Sequence, residues 1–418
     1  SFSLNMTSES LLSNLPDEIL LEVIQLLPQQ TKVNIAQVNY KLYKLVQKSL
    51  YENLLFTRKS TLGSLQNFQD GLWTVVGGSK NPLVTPKFNS DTFQMRQEVL
   101  LQSLTLDTEL CDCIKRVVIC PRKDGDSPTE GLPTEKDNEE EEEELQETRT
   151  TVSPFSVNAT LEEFIKKNCA NLEQLSYVGE NPHIKARLSI DDISSLKNLQ
   201  RLDIDDFYYL TCIPKSKIRH LVVNHIITSP ICIRVSNDTI TKAMKNLQSL
   251  KFNDYEAQSI FLNKFLENWN SKELLPLETA KIIYYHGFND SDIENQNLVL
   301  KFLKLLDPSL FRNLEIVVGC DHMTCNCLTD LVKELSKDGS LQLRKFAVKQ
   351  HTVHRDHNYS EKFDYYLSEF LTKSPSRKSL KYLSISYDVP SDFNIGNSVK
   401  GNGCLLYTSD AADDTPCV

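Results

Sequence analysis

Apolar and polar positions follow two rhythms along this chain. Near the N-terminus, "LPDEILLEVIQLLP" (Leu15 to Pro28) places Ile19, Leu20, Val23, Ile24 and Leu27 at i, i+1, i+4, i+5 and i+8. That spacing puts one apolar stripe on an α-helix, predicted over Pro16 to Leu27. Pro16 suits the first helical position, whose N–H has no intrahelical partner. Asp17 and Glu18 favour the positive end of the helix dipole, and Pro28 stops the helix. Two more short amphipathic pieces follow. One carries Val33, Ile35, Ala36 and Val38; the other carries Leu42, Leu45, Val46 and Leu50. Three small helices cannot bury a self-sufficient core. Part of their apolar surface is expected to meet a partner or the rest of the chain.

From about residue 100 the rhythm becomes L-x-x-L-x-L. It falls on Ile114/Val117/Ile119, Leu172/Leu175/Tyr177, Leu199/Leu202/Ile204 and Ile218/Leu221/Val223. It continues at Leu247/Leu250/Phe252, Leu277/Ala280/Ile282, Phe311/Leu314/Ile316, Leu343/Phe346/Val348 and Leu380/Leu383/Ile385. From Leu172 onward the spacings are 27, 19, 29, 30, 34, 32 and 37 residues. Helical stretches such as "LEEFIKKNC", "IFLNKFLENW", "LVLKFLKLL", "LTDLVKELSK" and "FDYYLSEFLT" lie between. Strand then helix at this period predicts a degenerate leucine-rich-repeat solenoid with parallel strands on a concave face. A doubly wound α/β domain, with longer apolar strands, is the alternative. Residues between the apolar positions should face the concave side. The candidates for holding a partner there are Arg201, Asp203, Asp205, Asn224, Lys251, Asn253, Lys281, Glu315 and Lys349.

The N-terminal residues "LPDEILLEVIQLLPQQTKVNIAQVNYKLYKLV" resemble an F-box. The family pattern is met by Leu15, Pro16, Glu18, Ile19, Leu20, Ile24, Leu27, Pro28, Ala36, Val38 and Leu42. Asn39 stands where Cys or Ser is common, and Leu42 where Trp or Phe is common. The resemblance implies docking on the adaptor subunit of a cullin-based (SCF) ubiquitin ligase, in the manner of a helix laid in a groove. It assigns adaptor contact to Leu15, Pro16, Glu18, Ile19, Leu20, Ile24, Leu27, Val38 and Leu42. An F-box followed by such repeats resembles the F-box/leucine-rich-repeat class, of fungal type. The class implies a non-catalytic substrate receptor, with the cullin scaffold reached through the adaptor and an unknown protein substrate on the repeats. A protein that binds the same adaptor but acts outside any ligase is the alternative. The expected fold is α + α/β, with a three-helix F-box at 11–56, a connecting segment at 57–102 and repeats at 103–403.

Composition narrows the setting. The chain has 418 residues and a formal net charge of -10, the wrong sign for a general nucleic-acid surface. No apolar run reaches the roughly 18–20 residues of a membrane span, and no signal peptide is recognisable. Eleven cysteines, odd in number and scattered, read as reduced thiols in the cytosol or nucleus. Residues 121–154, with six glutamates from Glu139 to Glu144, cannot build a core and are expected to be a disordered insertion. It serves solubility or, through the proline-directed site Ser127-Pro128, regulation by phosphate. Cys404 to Asp414, "CLLYTSDAADD", resembles a translated sequencing adapter, so 404–418 is expected to be artefact and 1–10 non-native or disordered.

Two clusters suggest a metal: Cys320, His322, Cys325 and Cys327, then His351, His354 and His357. Zinc wants four such ligands in a tetrahedron. No paired CxxC spacing supports this, and packing explains Cys325 and Cys327, so no cofactor or metal is expected. "HRDHN" lacks the glycine-rich loop and DFG of a kinase, and no Walker, GxSxG or HExxH motif is present.

Overall fold

The computed structural model describes residues 15–57, 73–77, 90–120, 156–178, 188–226, 235–270, 272–286, 298–320, 327–337, 341–352, 361–387 and 403–408. The acidic stretch 121–154 lies outside them. So do the metal clusters, apart from the backbone of Cys320, Cys327 and His351. The chain divides into two units, Ser1–Gln200 and Arg201–Val418.

The first unit opens with α1 (Asp17–Leu26), α2 (Gln29–Ala36) and α3 (Tyr40–Tyr51). Pro16 takes the N-cap position, not the first helical one, and its carbonyl accepts the Leu20 N–H at 3.1 Å. Asn39 caps α3, its side chain accepting the Leu42 N–H at 2.9 Å. The departure from the family's Cys or Ser at this position therefore keeps a capping oxygen. The single stripe expected on α1 is two. Leu20 and Ile24 pack with Leu42 and Val46 in a small core, while Ile19 and Val23 are exposed.

Beyond the helices come β1 (Asn53–Thr57), β2 (Thr74–Gly77), α4 (Ser90–Leu106), α5 (Thr108–Cys111), β3 (Arg116–Cys120), α6 (Ser156–Asn168), β4 (Gln174–Tyr177) and α7 (Ile190–Ser195). The four strands run parallel in the order β2-β1-β3-β4. Leu54, Leu55 and Phe56 of β1 are buried. Only Glu52 separates α3 from β1. Its carbonyl accepts the N–H groups of Lys115 and Arg116, both at 3.0 Å, and its carboxylate holds the Lys115 ammonium at 3.0 Å. The Gln29 carboxamide donates to the Thr74 hydroxyl at 2.9 Å, which donates to the Leu50 carbonyl. These bonds fasten the helices to β2 and β3.

Lys32 is buried at 3 % exposure, its ammonium donating to the Ser49 hydroxyl at 2.8 Å. Burial pushes its pKa below the ordinary lysine value, with Glu52 partly opposing. Between the lowered folded value and the unfolded 10.5, the unfolded chain binds more protons, so stability rises with pH through that window. Below it the desolvation penalty is fully present. Lys32→Met is therefore expected to raise Tm at pH 7 by about 2–4 °C, with the gain shrinking as pH approaches 10. Calorimetric scans at the two pH values check this.

The second unit contains β5 (Arg201–Ile204), a 3-10 helix (Phe207–Lys215), β6 (His220–Val223), α8 (Asn237–Met244), β7 (Ser249–Phe252), α9 (Tyr255–Asn268), β8 (Thr279–His286), β9 (Asn313–Cys320), α10 (Cys327–Lys337), β10 (Lys345–Thr352), α11 (Glu361–Lys373), β11 (Tyr382–Tyr387) and β12 (Gly403–Thr408). Strands β5 to β11 pair in sequence order and all are parallel. β12, which apart from Gly403 falls in the stretch expected to be artefact, pairs antiparallel with β11. Parallel registers align Leu202, Leu221, Leu250, Ala280, Leu314, Phe346 and Leu383 in one row. Every residue of that row is buried, as the L-x-x-L-x-L rhythm requires.

Strand lengths are unequal, and the mismatch is repaired by a side chain. The β7–β8 pairing ends at Lys251 and Lys281, while β8 continues along β9. Past that point Ile283 has no β7 partner. The buried Gln258 of α9 takes its place, accepting the Ile283 N–H at 2.8 Å and donating to its carbonyl at 2.6 Å. Gln258→Leu strands both backbone groups and is expected to cost about 2–4 kcal/mol, read as a lower urea midpoint. Ser376 uses the same device, donating to the Leu341 carbonyl and accepting the Leu343 N–H.

Among the described residues no helix is long and apolar enough to cross a membrane, and no group of three or more His, Cys, Asp or Glu is placed to hold a metal. Cys169 and Cys212 are buried, and their thiols are pushed up to about 12 by desolvation, which leaves them inert at neutral pH.

Candidate functional site

Two surfaces carry the residues singled out from the sequence, one in each unit. The first lies on the N-terminal helices. On a 3.6-residue turn, Ile19, Val23 and Leu26 form a stripe about 100° around α1 from Leu20 and Ile24. Leu26 is 84 % exposed, a high value for a leucine in a folded helix. Val33, Val38, Tyr40 and Tyr43 of the neighbouring segments are exposed too, with the Tyr40 and Tyr43 rings stacked at 6.4 Å. Exposed apolar side chains aligned on one side of a helix, as Ile19, Val23 and Leu26 are on α1, mark a protein-docking surface more readily than scattered ones.

The residues assigned to adaptor contact divide accordingly. Ile19 and Val38 are exposed, as are Pro16 and Glu18. Leu15 and Leu27 are half-buried, Leu15 packing against the helical core. Leu20, Ile24 and Leu42 are buried in that core, at 2 %, 2 % and 4 % exposure. Their apolar area is used to join the helices and is not presented to a partner. Val23 and Leu26 take their place on the surface. Sequence periodicity placed Val23 on the stripe, but Leu26 fell outside it. Lys41 fastens the helix start, meeting Asp17 at 3.0 Å and donating to the Leu15 carbonyl at 3.2 Å.

The second surface is the face of the β5–β10 strands opposite the buried leucine row. Here Arg201 forks onto Asp203 through Nε at 2.7 Å and Nη2 at 2.9 Å. Asp203, Asp205 and Asn224 are buried, so three of the nine candidates do not stand open to a ligand. An extended strand sets Arg201 and Asp203 two residues apart on one side, and the ion pair closes over the carboxylate. Asn224 accepts from the Asn253 carboxamide at 2.9 Å, and Asn253 accepts from the Lys281 ammonium at 2.9 Å. This polar chain links three neighbouring strand segments. Glu315 is half-buried and Lys349 is exposed.

Lys251 and Lys281 are directly paired in register. Burial holds both ammonium groups below the ordinary lysine value. For Lys251, the charges of Arg201, Lys281 and Lys345 push the same way and Glu315 opposes; for Lys281, Glu315 opposes and Lys349 adds to the depression. His220, not singled out from the sequence as a candidate, occupies in β6 the position that Arg201 occupies in β5. Burial, Arg201 and Lys251 hold its imidazole below the usual range, against Glu278. The alternation that selected Arg201 would have selected it. Beside this face, the exposed His225 contacts Asp254 at 2.9 Å, and Asp254 also caps α9 through the Ala257 N–H.

No curated protein matches the chain. Residues 12–57, which span α1, α2, α3 and β1, match the F-box-like family.

Proposed function

We propose that the chain is the substrate-recognition subunit of a cullin-based SCF ubiquitin ligase. An F-box-like domain suggests a role in such a ligase, and domains of this kind bind its adaptor subunit. The observation that carries the reading is the coincidence of residues 12–57 with the exposed apolar stripe Ile19, Val23 and Leu26. The parallel strands, with a buried L-x-x-L-x-L row and intervening helices, support leucine-rich-repeat stacking in the rest of the chain. The open strand face is then the place for a target protein. The chain supplies no chemistry in this role. It raises the effective concentration of the target's lysines near the ubiquitin thioester carried by the cullin.

Affinity purification of the full chain tests this. Recovery of both adaptor and cullin is the expected result. Adaptor without cullin would favour an adaptor-binding protein acting outside a ligase. Neither protein, recovered from a chain shown to be folded, would sink both readings.

A further inference from the structure

The chain as a whole is acidic, at net charge -10, yet one face of its second unit is cationic. Lys251 and Lys281 stand side by side in register on β7 and β8. Lys345 and Lys349 lie on β10, on the same side of the strands by alternation with the buried Phe346 and Val348. Glu315 of β9 is the carboxylate between these strands that acts on both Lys251 and Lys281. At the β5 end, Asp203 is already closed by Arg201 and Asp205 is buried. Like charges directly opposite on neighbouring strands destabilise a sheet, and each lysine here is also partly desolvated. Asn253, which accepts from the Lys281 ammonium, and Glu315, opposite Lys281 in register, offset only part of these costs. An anion between the ammonium groups relieves the rest.

We propose that the β7–β10 face binds a short acidic segment of a protein, its anionic oxygens taken by Lys251 and Lys281 and flanked by Lys345 and Lys349. The oxygens belong to carboxylates or to phosphorylated side chains. Three strand spacings cover about 14 Å, the reach of some four extended residues. A patch of that size suits a peptide, whereas the net negative charge of the whole chain repels a long polyanion such as nucleic acid. The inference rests on the receptor reading only in treating the segment as part of a target.

Fluorescence anisotropy of the full chain tests it, with labelled twelve-residue Gly/Ser peptides carrying four glutamates, four phosphoserines or four glutamines. Either anionic peptide is expected to bind at least tenfold more tightly than the glutamine peptide, weakening as salt rises from 50 to 200 mM; the stronger of the two identifies the source of the oxygens. Lys251→Gln with Lys281→Gln should remove that preference without lowering the urea midpoint. Lys242→Gln with Lys337→Gln, on helix surfaces, should keep it. Equal binding of anionic and glutamine peptides would overturn the proposal. So would a preference unchanged by the Lys251/Lys281 change, or tighter binding of a single-stranded oligonucleotide of equal charge. Adaptor binding is measured on the same samples. A chain that takes the acidic peptide but not the adaptor upholds this site and removes the ligase reading, and the reverse result does the opposite.

Discussion

Phe261→Ala is expected to cost the second unit about 3–5 kcal/mol. Phe261 of α9 is fully buried and meets Phe252 of β7 edge-on at 5.4 Å and Phe207 of the 3-10 helix at 6.0 Å. One ring thus joins a strand, a long helix and a short one, and truncation leaves a cavity that none of the three can move to fill. Folded proteins hold only about 5–15 kcal/mol in total, so this single change is a large fraction of the whole. Urea unfolding followed by far-ultraviolet circular dichroism measures it. Tyr208→Ala serves as the comparison, because Tyr208 is 53 % exposed and should change stability by less than about 0.5 kcal/mol. Equal losses from the two variants would mean that the aromatic cluster does not hold the unit together.

Ile19→Asp combined with Leu26→Asp is expected to weaken adaptor binding on the order of 100-fold or more. Both side chains are exposed, so the helices keep their Leu20, Ile24, Leu42 and Val46 core. The loss should therefore appear in affinity and not in melting temperature. Leu20→Ala should do the opposite, lowering stability by about 2–4 kcal/mol while leaving the docking stripe in place. Titration calorimetry with purified adaptor, run beside thermal melts, separates the two. An affinity unchanged by the double aspartate would show that this stripe is not the docking surface.

These contrasts mark how far the sequence could be read. The L-x-x-L-x-L rhythm located strands β3 to β11 because one face of every strand carries apolar residues at each second position, even where the opposite face is buried too, as in β3 and β4. The cap at Asn39 was compatible with its residue type. The division of α1 into an inner and an outer stripe was not legible, because Ile19 and Leu20 are equally apolar and hydrophobicity alone does not say which neighbour buries them. β1 was missed since "NLLFT" continues the apolar content of α3, and β2 is only four residues long. The spacing between Leu199 and Ile218 is the shortest of the series, at 19 residues, and a nine-residue 3-10 helix fills it where most other repeats carry an α-helix. On the strand face, alternation found Arg201 and Asp203 but not their mutual capture, which depends on geometry two residues apart.

β1 gives the F-box-like segment a standing that its length does not suggest. The segment ends in a strand enclosed on both sides, by β2 and by β3. It is not a cassette on a tether. Excised alone, it would carry Leu54, Leu55 and Phe56 as a bare sticky edge; removed from the rest, it would leave β2 and β3 without the neighbour each shares. Fusion swaps that treat residues 12–57 as an exchangeable plug should therefore yield aggregates. A partner that grips α1 takes hold of a handle welded to its blade, and whatever turns the helices turns the first unit's sheet with them.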